Sequence, residues 1–230
     1  FFVVFNSLYP QNNQNSDSLI AKANIYLNSG DADKYYQEVQ KIYTQAVASQ
    51  NHEAELMALK NICLYYEKKT FNLKKLFETA ELLGHQAEKY HVSTYQAYAK
   101  IFLSDVYVYN GLYSKSKQQL DQGEKILKKI TDSNPSVIDV KVNLCNAYAN
   151  YYAALQNLKK RLEYIKLSVK EIEKNKRDID YRKKLCVIYS NLALAYFEIN
   201  MDDSTEYYAW QSIAINKNEK MRNLSLKNQD

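Results

Sequence analysis

Apolar and small side chains recur along this chain three and four residues apart, in long stretches separated by short polar breaks. Positions with this spacing fall on one face of an α-helix, so each stretch predicts an amphipathic helix. The breaks group the stretches into five pairs. The first helices of the pairs are predicted at residues 17–29, 52–69, 93–110, 136–155 and 180–199. The second helices are predicted at residues 32–49, 72–90, 113–130, 158–174 and 202–215.

Each first helix contains a small residue followed three positions later by a tyrosine, and successive small residues are 40, 41, 45 and 44 positions apart. Residues at i and i+3 share a helix face. We therefore predict that the small residue lets a neighbouring helix approach, while the tyrosine ring fills the gap between helix pairs. These structural anchors are Ala23 and Tyr26, Cys63 and Tyr66, Ser104 and Tyr107, Ala149 and Tyr152, and Ala193 and Tyr196.

The order of small residue, tyrosine, turn residue and second small residue resembles the tetratricopeptide repeat. The resemblance covers roughly residues 16–216 and is best in the third and fifth pairs. The period here is longer than the usual repeat of about 34 residues, as in the long-repeat subgroup found in bacterial regulators. The resemblance implies an all-α fold, a right-handed α-solenoid of about five helix hairpins.

No Ser/Gly-rich linker interrupts the repeats, so residues 16–216 are predicted to form one repeat domain. Residues 217–230 are polar and are predicted to be a frayed helix, a tail or a linker. Residues 1–15 begin with FFVVF, which is too short to span a bilayer. We interpret this segment as a signal-peptide remnant or a disordered N-terminus. Export is therefore favoured over a cytoplasmic location.

The composition excludes several classes of protein. With four Gly and two Pro, the chain lacks the turn residues of an all-β fold. The net charge of +5 is spread along the chain and carried mainly by Lys, whereas nucleic-acid binders cluster their basic residues and use Arg. We therefore expect this segment to bind no nucleic acid. It also contains no stretch long and apolar enough for a transmembrane helix.

Catalytic and metal-binding patterns are missing from the sequence. The three His and three Cys have no metal-ligand spacing, and no HExxH, GxxxxGK or GxSxG motif occurs. The cysteines fall within apolar helical patterns, which favours buried small side chains. We predict no enzyme activity, no catalytic residues, no metal and no cofactor.

The resemblance implies that the first helices line a concave face on which peptide ligands lie. Its groove positions flank each small anchor, six and three residues before it and one, four and five after it. In the fourth pair three of these positions hold Asn143, Asn146 and Asn150, which form a stripe of amide side chains on one helix face. Such a stripe suits a peptide backbone, because a carboxamide both donates and accepts hydrogen bonds. Ordinary exposed surface is the alternative reading. The predicted ligand-binding residues are Lys60, Tyr98, Asp105, Tyr109, Asn143, Asn146, Asn150, Ser190 and Phe197. Neighbouring groove positions hold Val108, Ala153, Ala154, Val187 and Leu194.

These features predict a module that binds a protein or peptide. Its resemblance to long-repeat regulators favours the sensory or regulatory part of a bacterial transcriptional regulator, with the output domain outside this segment. The alternative is a free-standing cytoplasmic adaptor or signalling-peptide receptor. The sequence leaves the oligomeric state open.

Overall fold

The computed structural model describes residues 16–131, 134–176 and 181–227, and every regular element within these ranges is helical. The contacts divide the chain into two compact units, residues 1–72 and 73–230, which are described separately. The segment predicted as a signal-peptide remnant or disordered N-terminus, residues 1–15, lies outside the described residues. No helix of the described part combines the length and hydropathy needed to cross a membrane.

Among its described residues, 16–72, the first unit contains three helices, α1 (Ser16–Asn28), α2 (Ala32–Ala48) and α3 (His52–Lys68). Helix α2 packs against both α1 and α3, and its apolar stripe, which includes Val39 and Ile42, is buried. Polar side chains cap two of the helices, because Asp31 and Asn51 accept hydrogen bonds from the first-turn N–H groups of α2 and α3.

The second unit contains seven α-helices within its described residues. They are α4 (Leu73–Lys89), α5 (Ser93–Tyr109), α6 (Tyr113–Lys128), α7 (Pro135–Ala154), α8 (Leu158–Ile172), α9 (Tyr181–Phe197) and α10 (Asp202–Lys227). A 3₁₀ turn, Glu173–Asn175, follows α8. Each helix packs on the next along the chain, and α5 also packs on α7. The cleft described below depends on this last contact.

The helices agree with the predicted boundaries to within two residues, apart from the end of α10. That helix was predicted over residues 202–215, followed by a frayed helix, a tail or a linker, and in the structure it continues to Lys227. The extension contains Lys, Glu, Met, Arg and Leu and has no Gly or Pro, so its composition supports a helix although its apolar periodicity is weak. Helix α7 begins at Pro135, and the side chain of Asn134 caps it.

A left-handed residue ends every first helix. All five turns contain a hydrogen bond of 2.8–3.0 Å from the N–H after the left-handed residue to the carbonyl of the repeat tyrosine, and in four of them this tyrosine lies five residues before the donor. This is the closing bond of a Schellman motif. The turn after α3 is one residue longer, and there the N–H of Asn72 donates to the carbonyl of Tyr66. The left-handed residues are Gly30, Phe71, Gly111, Gln156 and Asn200.

The small anchors occupy buried contacts. All five of them, Ala23, Cys63, Ser104, Ala149 and Ala193, are buried. Tyr66, Tyr152 and Tyr196 are buried as well, whereas Tyr26 and Tyr107 are half-buried. In the fourth and fifth pairs the tyrosine ring stacks on a ring of the following helix, with centroids 5.4 Å apart for Tyr152 and Tyr164 and also for Tyr196 and Tyr208. In these two pairs the repeat tyrosine therefore contacts both helices of its pair.

Candidate functional site

A cleft of about 420 Å³ lies between α5 and α7 in the second unit. Its size falls within the range of roughly 300–1,000 Å³ that ligand pockets usually occupy. Every lining residue occupies one of the groove positions of the third and fourth repeats. The lining residues are Asp105, Val108, Tyr109, Asn150, Ala153 and Ala154.

The repeat frame explains why these side chains meet. Asp105 and Asn150 each follow a buried small anchor, and the other lining residues come one helical turn later on the same face. Because the anchors allow α5 and α7 to pack closely, their groove faces become the two walls of one cleft.

The walls of the cleft differ in chemistry. Asp105 is only 6% exposed, whereas Tyr109 is 49% exposed and Asn150 is exposed. Ala153 and Ala154 add a small apolar surface on α7. The cleft thus offers a carboxylate acceptor, an amide that donates and accepts, and an aromatic ring. A peptide segment can use all three groups.

Two predicted ligand contacts, Tyr98 and Asn143, instead form links between helices. Tyr98 is buried on α5 and donates a hydrogen bond from its hydroxyl to the carboxylate of Asp139 on α7. Asn143 donates to the carbonyl of Asp139 at 2.8 Å, and its amide nitrogen lies 3.5 Å from the Tyr98 hydroxyl. The Lys184 ammonium on α9 lies 2.8 Å from Asp139.

Asp139 therefore joins side chains of three helices. Burial and the neighbouring Asp139 carboxylate raise the pKa of Tyr98 well above its ordinary value, which keeps its hydroxyl a donor. Asp139 was not among the predicted site residues, although it lies one helical turn before Asn143 on the same face. A role for Tyr98 and Asn143 in ligand binding stays a prediction, and their contacts in this structure position α5 and α7.

Asn146, between Asn143 and Asn150 on the predicted stripe, has a different environment. Its side-chain oxygen is buried and accepts no hydrogen bond within the described part of the chain. A buried acceptor of this kind is usually satisfied by water or a ligand. This is compatible with the binding role predicted for Asn146, which stays a prediction.

The predicted residues of α9 divide into two kinds. Ser190 bonds to α10, with its hydroxyl 2.8 Å from that of Ser212, and also donates to the carbonyl of Cys186. Phe197 is 63% exposed, and the groove positions Val187 and Leu194 on the same helix are also exposed. Helix α9 therefore presents apolar groove positions to solvent.

Lys60 is half-buried on α3 and belongs to the first unit. The cleft belongs to the second unit. The predicted part of Lys60 in ligand binding stays a prediction.

No group of three or more His, Cys, Asp or Glu among the described residues could hold a metal ion. All three cysteines are free thiols. Burial, followed by the nearby Glu171 carboxylate, raises the pKa of Cys145 to about 12, and burial raises that of Cys63 well above its ordinary value. Both thiols are therefore protonated at neutral pH and weakly nucleophilic.

Comparisons with known proteins show the fold. No protein-family model matches the chain, and no curated protein matches it in sequence. A putative kinesin light chain with nearly identical TPR-like repeats from Podosopora anserina has a similar structure, with 16% identity and a TM-score of 0.50, over 88% of this chain and 95% of that chain. BtubC (BKLC) from P. vanneervenii matches with 12% identity and a TM-score of 0.59, over 89% of this chain and 80% of that chain. The described helices therefore share the all-α, TPR-like helical repeat fold.

Proposed function

We propose that this chain is a binding module that holds a peptide or a protein segment along the groove positions of its first helices. One observation carries the proposal: the six side chains that line the cleft all come from the groove positions of two adjacent repeats. A shared frame of this kind gives a ligand equivalent contacts on successive first helices, which suits an extended segment.

The side chains favour a particular ligand chemistry. Asp105 supplies a buried carboxylate that attracts a ligand N–H or a basic group, and Asn150 suits a peptide backbone. On α9 the exposed Leu194 and Phe197 favour apolar side chains. The ligand we propose is an extended peptide with a basic or N–H-rich part followed or preceded by apolar residues.

The resemblance to long-repeat bacterial regulators supports a narrower proposal, in which ligand binding is the sensory step and the output domain lies elsewhere in the protein. The apolar FFVVF segment supports export as the setting for this role. Both proposals rest on sequence features alone.

The test begins with selection from a random peptide library on the immobilised 230-residue chain, followed by titration of a selected peptide. We expect Asn150→Ala to raise the dissociation constant for that peptide by roughly five- to tenfold, the effect of one lost hydrogen bond of about 1 kcal/mol. The matched control, Gln118→Ala on the exposed surface of α6, should bind as the wild type does. Circular dichroism checks that both variants are folded. Failure to select any peptide, or equal affinities of all three proteins, would refute the proposal.

A further inference from the structure

The last helix has a packed face and an exposed face. Tyr208 and Ile215 pack against the core formed with α8 and α9, and Ser212 is buried and hydrogen-bonds to α9. The opposite side presents one continuous row of exposed residues, spaced three and four apart. We call it the α10 stripe, and it consists of Asp203, Glu206, Tyr207, Trp210, Ile213, Ala214 and Lys217.

The centre of the α10 stripe is unusually apolar for its position in the repeat. Tyr207, Trp210 and Ile213 are 57%, 61% and 54% exposed. The repeat spacing aligns Tyr207 and Trp210 with four residues of the two preceding second helices. Those four, Gln118 and Asp121 of α6 and Glu163 and Lys166 of α8, are polar or charged and exposed. Contiguous exposed aromatic side chains, Trp above all, are the mark of an interaction surface.

The indole of Trp210 is held in place on this surface. Its Nε1–H donates to the Glu206 carboxylate at 3.2 Å, one turn earlier on the helix. Fixing a large side chain before binding lowers the entropy that association must overcome.

The order of charges along the α10 stripe is complementary to that of a second, antiparallel copy of the same stripe. Acidic Asp203 and Glu206 precede the apolar centre, and basic Lys217 follows it. A second copy of the helix, laid antiparallel about a two-fold axis between Trp210 and Ile213, brings Glu206 of each copy opposite Lys217 of the other. The same pairing sets Trp210 against Ile213. A parallel arrangement would instead place like charges side by side.

We propose that this chain forms a symmetric dimer in which two α10 stripes pack antiparallel. Such an interface is self-complementary, as two-fold symmetry requires, and its opposite charges select the antiparallel register. From Asp203 to Lys217 the stripe is about 21 Å long, at the helical rise of about 1.5 Å per residue. One helix pair buries less area than a standard interface, so we expect a dissociation constant in roughly the micromolar range.

Sedimentation equilibrium of the 230-residue chain, over a wide range of protein concentration, tests the dimer. The wild type should pass from monomer to dimer, and Trp210→Ser should raise the dissociation constant about tenfold or more, as expected for an interface hot spot. The matched control is Tyr109→Ser, which removes an exposed aromatic ring from the cleft and should leave the dimer unchanged. A wild type that stays monomeric, or a Trp210→Ser variant that dimerises as the wild type does, would overturn the proposal.

Charge reversal tests the antiparallel register separately. It also provides an independent test of the dimer if the Trp210→Ser variant fails to fold. Glu206→Lys alone and Lys217→Glu alone should each weaken the dimer, because each sets like charges opposite one another. The double variant restores opposite charges and should dimerise again, whereas a double variant as weak as the single ones would exclude the antiparallel pairing. The dimer does not depend on the cleft, so its failure would leave the peptide-binding proposal standing.

Discussion

Ser104 is the only hydroxyl among the five small anchors, and its environment shows what the small position requires. It is fully buried on α5, and its Oγ lies 2.8 Å from that of Ser116 on α6, which is also fully buried. The two hydroxyls satisfy each other where α5 and α6 are in contact. The position therefore selects for small volume, and a polar group is accepted only because the second helix supplies a partner.

Removing both members of this pair should cost less than the sum of the costs of removing each one alone. We expect Ser104→Ala to lower the free energy of unfolding by about 1–2 kcal/mol, because the Ser116 hydroxyl is left buried without its partner. The Ser104→Ala/Ser116→Ala double variant should lose less than the sum of the two single losses. Urea unfolding measures all three, with the exposed Ser114→Ala on α6 as the control. Strictly additive losses would mean that the hydroxyls do not interact.

At the scale of the helices, the sequence predicts the helix boundaries well, because the apolar period and the turn residues indicate the same boundaries. All the first helices agree within two residues, since the left-handed residue of each turn comes four positions after the repeat tyrosine, or five positions after it in the second repeat. The full length of α10 was not predicted because residues 216–227 show little apolar periodicity in the sequence, the signal that located the other helices.

The candidate site was only partly predictable. Repeat register places the residues that line the cleft on one face of each helix, since a helix position fixes the direction of its side chain. It could not tell which of these side chains a neighbouring helix would engage. Tyr98 and Asn143 lie at groove positions, but Asp139 bonds to both. Such hydrogen bonds between helices depend on the distance between the two helices. The residue pattern of a single helix does not determine that distance.

The turn between α7 and α8 offers a test of the repeat's backbone geometry. Gln156 has a φ of 56°, a conformation that costs a residue with a Cβ about 1–2 kcal/mol. Gln156→Gly should remove this cost and stabilise the fold by up to about 1 kcal/mol, after the larger unfolded-state entropy of glycine is subtracted. Gln118→Gly, in the interior of α6, is the matched control and should destabilise by about 1 kcal/mol. Equal destabilisation in thermal unfolding would contradict the left-handed turn.

At the scale of the whole molecule, tyrosine supplies much of the packing, with 22 copies in the chain. Many of these rings are buried while their hydroxyls reach a polar partner. Tyr35, for example, donates to the buried Asn61 at 2.9 Å, and Tyr148 donates to Asp121 at 2.7 Å. Burial raises the pKa of Tyr35 to about 12 from an ordinary value of 10.0. Burial, followed by Tyr152, raises the pKa of Tyr164 to about 12 as well.

These pKa shifts predict that the fold loses stability in alkali. Between pH 10 and 12 the unfolded chain releases tyrosine protons that the folded chain still holds, so the free energy of unfolding falls as the pH rises through this window. The stabilising contribution is complete below pH 10, the ordinary pKa. Urea unfolding at a series of pH values measures the decline, and tyrosinate absorbance follows the titration.

Substitution should identify the residues responsible. Tyr35→Phe and Tyr164→Phe each remove one proton that the folded state retains, so each variant should lose less stability across the window than the wild type does. At neutral pH Tyr35→Phe should cost about 1 kcal/mol, because its hydrogen bond to Asn61 is lost. Tyr207→Phe, on an exposed ring, is the control for that neutral-pH cost and should unfold within about 0.5 kcal/mol of the wild type. A pH dependence identical in the wild type and both buried-ring variants would show that these rings do not carry the alkaline response.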